Sequence, residues 1–154
     1  RYVTALMNVD GRPEWYGKYN DGPSALQGIG NVDGSGKLSI GGAGYSDGFR
    51  CMDPATGAVK WTYALPSPAS DGATITADVD GDGIEEFLFT RGQTLYALNG
   101  KDGQPNLVWQ IALPALPGPL AYADADGDGS PEIIFGGGDG NIYLIGEAKA
   151  GPEK

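Results

Sequence analysis

The stretch "TADVDGDGIEEFLF", residues 76 to 89, places Asp78, Asp80 and Asp82 within five residues, followed by Gly83 and Glu86. The aspartates occupy positions 1, 3 and 5 of a loop, and Glu86 occupies position 9. Gly81 and Gly83 let the backbone curl so that alternate side chains turn inward, and the carbonyl of Ile84 at position 7 can join them. Every donor is then a hard oxygen on a flexible loop. That suits Ca²⁺ better than Mg²⁺, which demands tighter octahedral geometry and keeps more water. Without a cation the cluster is costly, since two unit charges about 5 Å apart repel by roughly 3 kcal/mol at an effective dielectric of about 20.

The pattern recurs. Asp124, Asp126 and Asp128, the carbonyl of Ser130, and Glu132 hold the same five positions. Asn31, Asp33, Ser35 and Lys37 form an eroded copy, with Ser39 at position 9 and one carboxylate left. We expect two Ca²⁺ sites and a third loop that keeps its shape and binds Ca²⁺ weakly, if at all. An EF-hand would carry its bidentate acid at position 12. Here that position is Phe89 in one loop and Phe135 in the other, and the flanks read as strands, so the EF-hand is disfavoured.

The elements that hold these loops follow from a repeat. Trp15, Trp61 and Trp109 recur 46 and 48 residues apart, and Asn31, Asp78 and Asp124 recur 47 and 46 apart. Asn8, Asp53, Asn99 and Gly146 close apolar runs at the same period. Within the middle period, "GATITADV", "EEFLFTRG", "TLYALNG" and "NLVWQIALP" read as four strands, short, rich in β-branched and aromatic residues, and bounded by Gly, Asp, Asn and Pro. The acidic loop joins the first to the second. Four-stranded units of about 40 to 45 residues are the blades of a β-propeller. The fold expected is therefore all-β, with four-stranded antiparallel blades on a repeat of about 46 residues and about three and a half blades in all.

The expected division is a propeller segment over 1–147, made of a partial blade 1–24, blades 25–67 and 68–114, and a partial blade 115–147, with 148–154 as a polar tail or linker. Trp15, Trp61 and Trp109 are expected between sheets. Met7, Met52, Leu98 and Ile145 hold matching places on third strands and should be buried too, with Cys51 beside Met52. The end strands would be open edges, which invite pairing with another chain.

Composition narrows the partners. The net charge is −10 and the pI about 4.2, so nucleic acid and anionic membrane are poor partners. No histidine is present, which removes the commonest general base and transition-metal ligand. Cys51 stands alone, and no run of 18 apolar residues exists to span a membrane. The chain opens on Arg1, not Met, and is expected to be a processed or excised piece.

The segments "ADVDGDGIEEFLFTRG" and "ADADGDGSPEIIFGGGDGN", with "GNVDGSGKLSIGGAG" as a weaker copy, resemble the FG-GAP/VCBS repeats. That resemblance implies Ca²⁺-binding β-propellers of the kind found in integrin α-subunit heads and bacterial surface proteins. "CMDPATGAVKWTYALP" and "YALNGKDGQPNLVWQIALP" are similar to the repeats of quinoprotein-type propellers, where a D-x-x-T-G turn precedes a Trp strand. Some members of that family are dehydrogenases and others are scaffolds.

Together these readings lead us to expect a non-catalytic, Ca²⁺-stabilised binding or assembly module that is extracellular, periplasmic or at the cell surface, with protein or carbohydrate as ligand. One alternative is a fragment of a propeller enzyme such as a rhamnogalacturonan-type polysaccharide lyase. Such an enzyme needs a basic cluster to neutralise a uronate, and Lys18, Lys37, Arg50, Lys60, Arg91 and Lys101 read instead as scattered, solvated surface charge. The other alternative is a structural subunit that self-associates through its open blade edges.

Overall fold

Short apolar runs broken by Gly, Asp and Pro can only bury their surface by pairing with each other and stacking. The computed structural model, which describes residues 2–7, 9–19, 27–44, 48–66 and 72–146, shows this. Its strands are β1 (Tyr2–Met7), β2 (Pro13–Tyr19), β3 (Gly28–Gly30), β4 (Ser39–Gly44), β5 (Gly48–Met52), β6 (Val59–Tyr63), β7 (Ile75–Ala77), β8 (Glu86–Arg91), β9 (Thr94–Asn99), β10 (Asn106–Ala112), β11 (Pro117–Ala123), β12 (Glu132–Gly137) and β13 (Ile142–Ile145). They form four antiparallel meanders, β1-β2, β3-β4-β5-β6, β7-β8-β9-β10 and β11-β12-β13. A 3₁₀ turn, Lys101–Gly103, links β9 to β10. The protein is thus all-β and a partial propeller. The tail 148–154 and the side chains of Met7 and Lys18 lie outside the described residues.

The central sheets are buried on both faces, and strand alternation decides which neighbour each residue meets. On β8, Phe87 and Phe89 join Phe49, Cys51 and Trp61 in one apolar seam, while Leu88 joins Ile133 and Phe135 in the next. On β9, Tyr96 and Leu98 face the first seam, and Leu95 and Ala97 the second. The first seam is an aromatic stack, with the Phe49 ring centroid 4.5 Å from Phe89 and 5.1 Å from Phe87. The Gly-rich β4 allows this approach, because a Cβ on Gly41 would lie 2.5 Å from the Phe87 ring.

Trp15 and Trp61 each lie over a glycine of the following sheet. A Cβ on Gly57 would fall 2.4 Å from the Trp15 ring, and one on Gly100 would fall 2.6 Å from Trp61 Nε1. Trp61 is buried, whereas Trp15 and Trp109 are half-buried. Met52, Leu98 and Cys51 are buried as expected, and Ile145 is half-buried. Burial pushes the Cys51 thiol up to about 11, so it is not a thiolate at neutral pH.

Two of the basic residues expected as scattered surface charge have fixed partners. Lys60 is engaged with an acidic loop, as described below. Arg91 is only 4 % exposed, and its guanidinium reaches from β8 to the Pro66 carbonyl through Nε and to the Gly44 carbonyl at 3.3 Å. The planar fork suits two carbonyls at once, which a lysine cannot reproduce. Arg91→Ala should cost about 1–3 kcal/mol through carbonyls left unpaired, and Arg91→Lys should recover only part of it, as read by urea unfolding. An Arg91→Ala chain as stable as the parent would rule out this staple.

Candidate metal centres in the acidic loops

All three loops hang from the same place, between the first and second strands of a sheet, and share one hydrogen-bond frame. The side chain at position 1 accepts from the backbone N–H at position 6: Gly36 to Asn31 at 3.1 Å, Gly83 to Asp78 at 3.0 Å, and Gly129 to Asp124 at 3.0 Å. The acid at position 3 accepts from position 5: Ser35 to Asp33 at 3.0 Å, Asp82 to Asp80 at 3.2 Å, and Asp128 to Asp126 at 3.2 Å. Position 5 accepts from position 7: Lys37 to Ser35 at 3.3 Å, Ile84 to Asp82 at 2.9 Å, and Ser130 to Asp128 at 2.8 Å. The glycines at positions 4 and 6 all have positive φ, which L side chains seldom adopt.

This frame gathers carboxylates. Oxygens of Asp78, Asp80 and Glu86 lie within 4.8 Å of one another, as do those of Asp124, Asp126 and Glu132. Ca²⁺–oxygen distances of about 2.3–2.6 Å put two ligands of one ion no more than about 5 Å apart, so either trio fits around one cation. The donors are oxygen throughout, with no sulfur or imidazole, which fits Ca²⁺ chemistry. Asp82 and Asp128 are not in these trios. Asp82 accepts from Lys101 Nζ at 3.1 Å, and its carboxyl is lowered by the Ile84 N–H and then by that ammonium.

Position 9 anchors each trio in the sheet. Glu86, the first residue of β8, is fully buried. Its Oε2 accepts the Val79 N–H at 3.0 Å, and its Oε1 accepts Asn99 Nδ2 at 2.9 Å. Burial pushes the Glu86 carboxyl up, with Asp80 and Asp78 adding to the effect, against the lowering from its two hydrogen bonds. A cation beside it would relieve the shift. Glu132 is also buried and accepts the Ala125 N–H at 2.9 Å. Its neighbour in the place of Asn99 is Gly146, where a Cβ would sit 2.8 Å from Glu132 Cγ.

The loops also touch across seams. The Asn31 N–H donates to Glu85 Oε2 at 2.6 Å, while the Glu85 N–H donates to the Asn31 carbonyl at 3.2 Å. Tyr122, on β11, donates its hydroxyl to the Asp78 carbonyl at 2.9 Å. A pocket of about 210 Å³ lies beside them, lined by Val79, Trp109, Tyr122, Ile133 and Ile145 among others.

Sequence reading missed Glu85, Asn99, Lys101 and Tyr122. Only Asn99 left a signal, since it closes the third strand at the same period as Asn8, Asp53 and Gly146. The first loop lies apart from any trio of acids among the described residues. Asp33 there accepts Lys60 Nζ at 2.6 Å. Burial alone would raise the Asp33 carboxyl, but hydrogen bonds from Lys60 and Ser35 outweigh it and hold it at about 2.

Residues 78–135 match the FG-GAP-like repeat family, which bears out the resemblance over both acidic loops. No curated protein sequence matches the chain. Among solved structures it is similar to BamB from Moraxella catarrhalis, at a TM-score of 0.60 and 19 % identity, over 94 % of this chain and 40 % of that one. The likeness extends the propeller fold to nearly all of this chain, which spans less than half the length of its neighbour. No helix among the described residues is long and apolar enough to cross a membrane.

Proposed function

We propose that the chain is a non-catalytic, Ca²⁺-stabilised β-propeller module that acts in binding or assembly outside the cytosol. The observation that carries this reading is the pair of carboxylate trios, Asp78, Asp80 and Glu86 and Asp124, Asp126 and Glu132, held at ion-coordination spacing in successive sheets. Ile84 and Ser130 would add their carbonyls from position 7. Asp82 would leave Lys101 to complete its site, and Asp128 would turn inward likewise. Bound Ca²⁺ supplies charge neutralisation and loop order, not a reaction step.

The fate of the basic residues supports the non-catalytic reading. Arg91 is buried among carbonyls, Lys60 is paired with Asp33, and Lys101 is paired with Asp82. Millimolar Ca²⁺ is an extracellular condition, which favours a site outside the cytosol. The acidic surface favours a protein or carbohydrate ligand over nucleic acid. Calcium titration of chelator-treated protein should give two equivalents, with Asp80→Ala and Asp126→Ala each removing one. No binding at millimolar Ca²⁺ would end this reading.

A further inference from the structure

The first loop has the frame of the other two but a different occupant. Lys60 Nζ donates to Asp33 Oδ2 at 2.6 Å and to Ser39 Oγ at 3.0 Å. Those are positions 3 and 9, held by Asp80 and Glu86 in the second loop and by Asp126 and Glu132 in the third. Ser39 is fully buried and the Asp33 side chain is 15 % exposed, while the Lys60 side chain keeps 28 % exposure, so the ammonium head caps the loop from its open side.

The sheet aims this side chain. In the β5–β6 ladder, Cys51 pairs with Trp61 and Met52 with Val59, so the register skips Lys60. The same skip falls just before the tryptophan in the other hairpins, at Glu14 between β1 and β2 and at Val108 between β9 and β10. A bulge re-aims the extra residue out of the ladder. Of these three positions, only the one beside the eroded loop carries a cation. Charge agrees with geometry. At positions 1, 3, 5 and 9 the first loop has a single carboxylate, which the Lys60 ammonium matches while Lys37 adds a second positive charge at position 7, whereas the second and third loops each have four.

We infer that the Lys60 ammonium is the resident cation of the first loop, standing where a divalent ion would sit in the other two and keeping Ca²⁺ out. The loop is therefore set in its folded shape at any Ca²⁺ concentration. It grips the second loop through the reciprocal Asn31–Glu85 hydrogen bonds. On the Ca²⁺ reading proposed above, removing Ca²⁺ would then loosen the second and third loops while the first stays pinned.

The test uses the full chain and three variants, Asp33→Asn, Lys60→Met and the double variant Ser39→Glu/Lys60→Met. Asp33→Asn and Lys60→Met should each lower the melting temperature by about 2–4 °C, equally in Ca²⁺ and in chelator. A loss confined to Ca²⁺ would mean that the loop is a metal site, and no loss in either would mean that the ion pair does not hold it. Either result overturns the inference. The double variant restores an acid at position 9 and removes the ammonium, so it should bind one more equivalent of Ca²⁺ than the parent by calorimetry. An unchanged stoichiometry also overturns the inference. Because the reading is an increment, it holds whether the parent binds two ions or none, and so separates this inference from the proposal for the other two loops. If the double variant does not fold, the paired melts of Asp33→Asn decide alone.

Discussion

Chelating divalent cations should lower the melting temperature of the protein by about 10–20 °C, and Ca²⁺ should restore it better than Mg²⁺. A ligand that binds only the folded state stabilises it by RT ln(1 + [L]/Kd), about 2.7 kcal/mol at a hundredfold excess over Kd. Two such sites supply about 5 kcal/mol, and for a chain of this size each kcal/mol is worth about 2–4 °C. The direction expected follows from the buried acid at position 9. Glu86 is fully buried beside Asp78 and Asp80, and its carboxyl is already pushed up by burial and by their charge. Asp80→Ala and Asp126→Ala should each remove about half of the response. Asp82→Ala should remove less, because its carboxylate is shared with Lys101. Asp33→Ala should leave the Ca²⁺ response itself intact. Equal melting temperatures in Ca²⁺ and chelator would show that the loops are not structural metal sites.

Trp61→Ala should cost about 3–5 kcal/mol, the usual range for deleting a buried aromatic. Trp61 is 6 % exposed and packs with Phe49 at 6.0 Å and edge-on to Phe87 at 6.2 Å between ring centroids. It also covers Gly100, whose missing Cβ leaves room for the indole. No neighbouring side chain can fill the gap, since Phe49, Phe87 and Phe89 are themselves locked in the same stack. The matching Trp15 and Trp109 are half-buried, so their removal should cost less. Urea unfolding of the three alanine variants gives the ranking. A Trp109→Ala cost equal to or above that of Trp61→Ala would show that the first aromatic seam is not the dominant one.

The acidic loops were legible because each closes on itself. Positions 1 to 9 lie within nine residues, and their frame of side-chain to backbone hydrogen bonds spans five residues or fewer, as from Gly83 to Asp78. The sheets were legible for a related reason. They are meanders in which each strand pairs with its chain neighbour, so alternation and turn residues suffice. The repeat then multiplied one such reading into four sheets.

What the sequence determined by itself is therefore the blades, the loops and the carboxylates, all set by interactions short along the chain. The tertiary structure alone decided which side chains answer one another across a sheet or across a seam. Lys60 reaches Asp33 over 27 residues, Tyr122 reaches Asp78 over 44, and Arg91 reaches Gly44 over 47. In the sequence each of these reads as an ordinary charge or an ordinary strand aromatic. Their partners depend on how two stacked sheets are offset and on which residue a bulge turns out of the ladder. Those are set by the packing of Phe49, Trp61 and Phe87 rather than by any local propensity. A long flexible side chain finds its partner only after that packing has placed the two within reach.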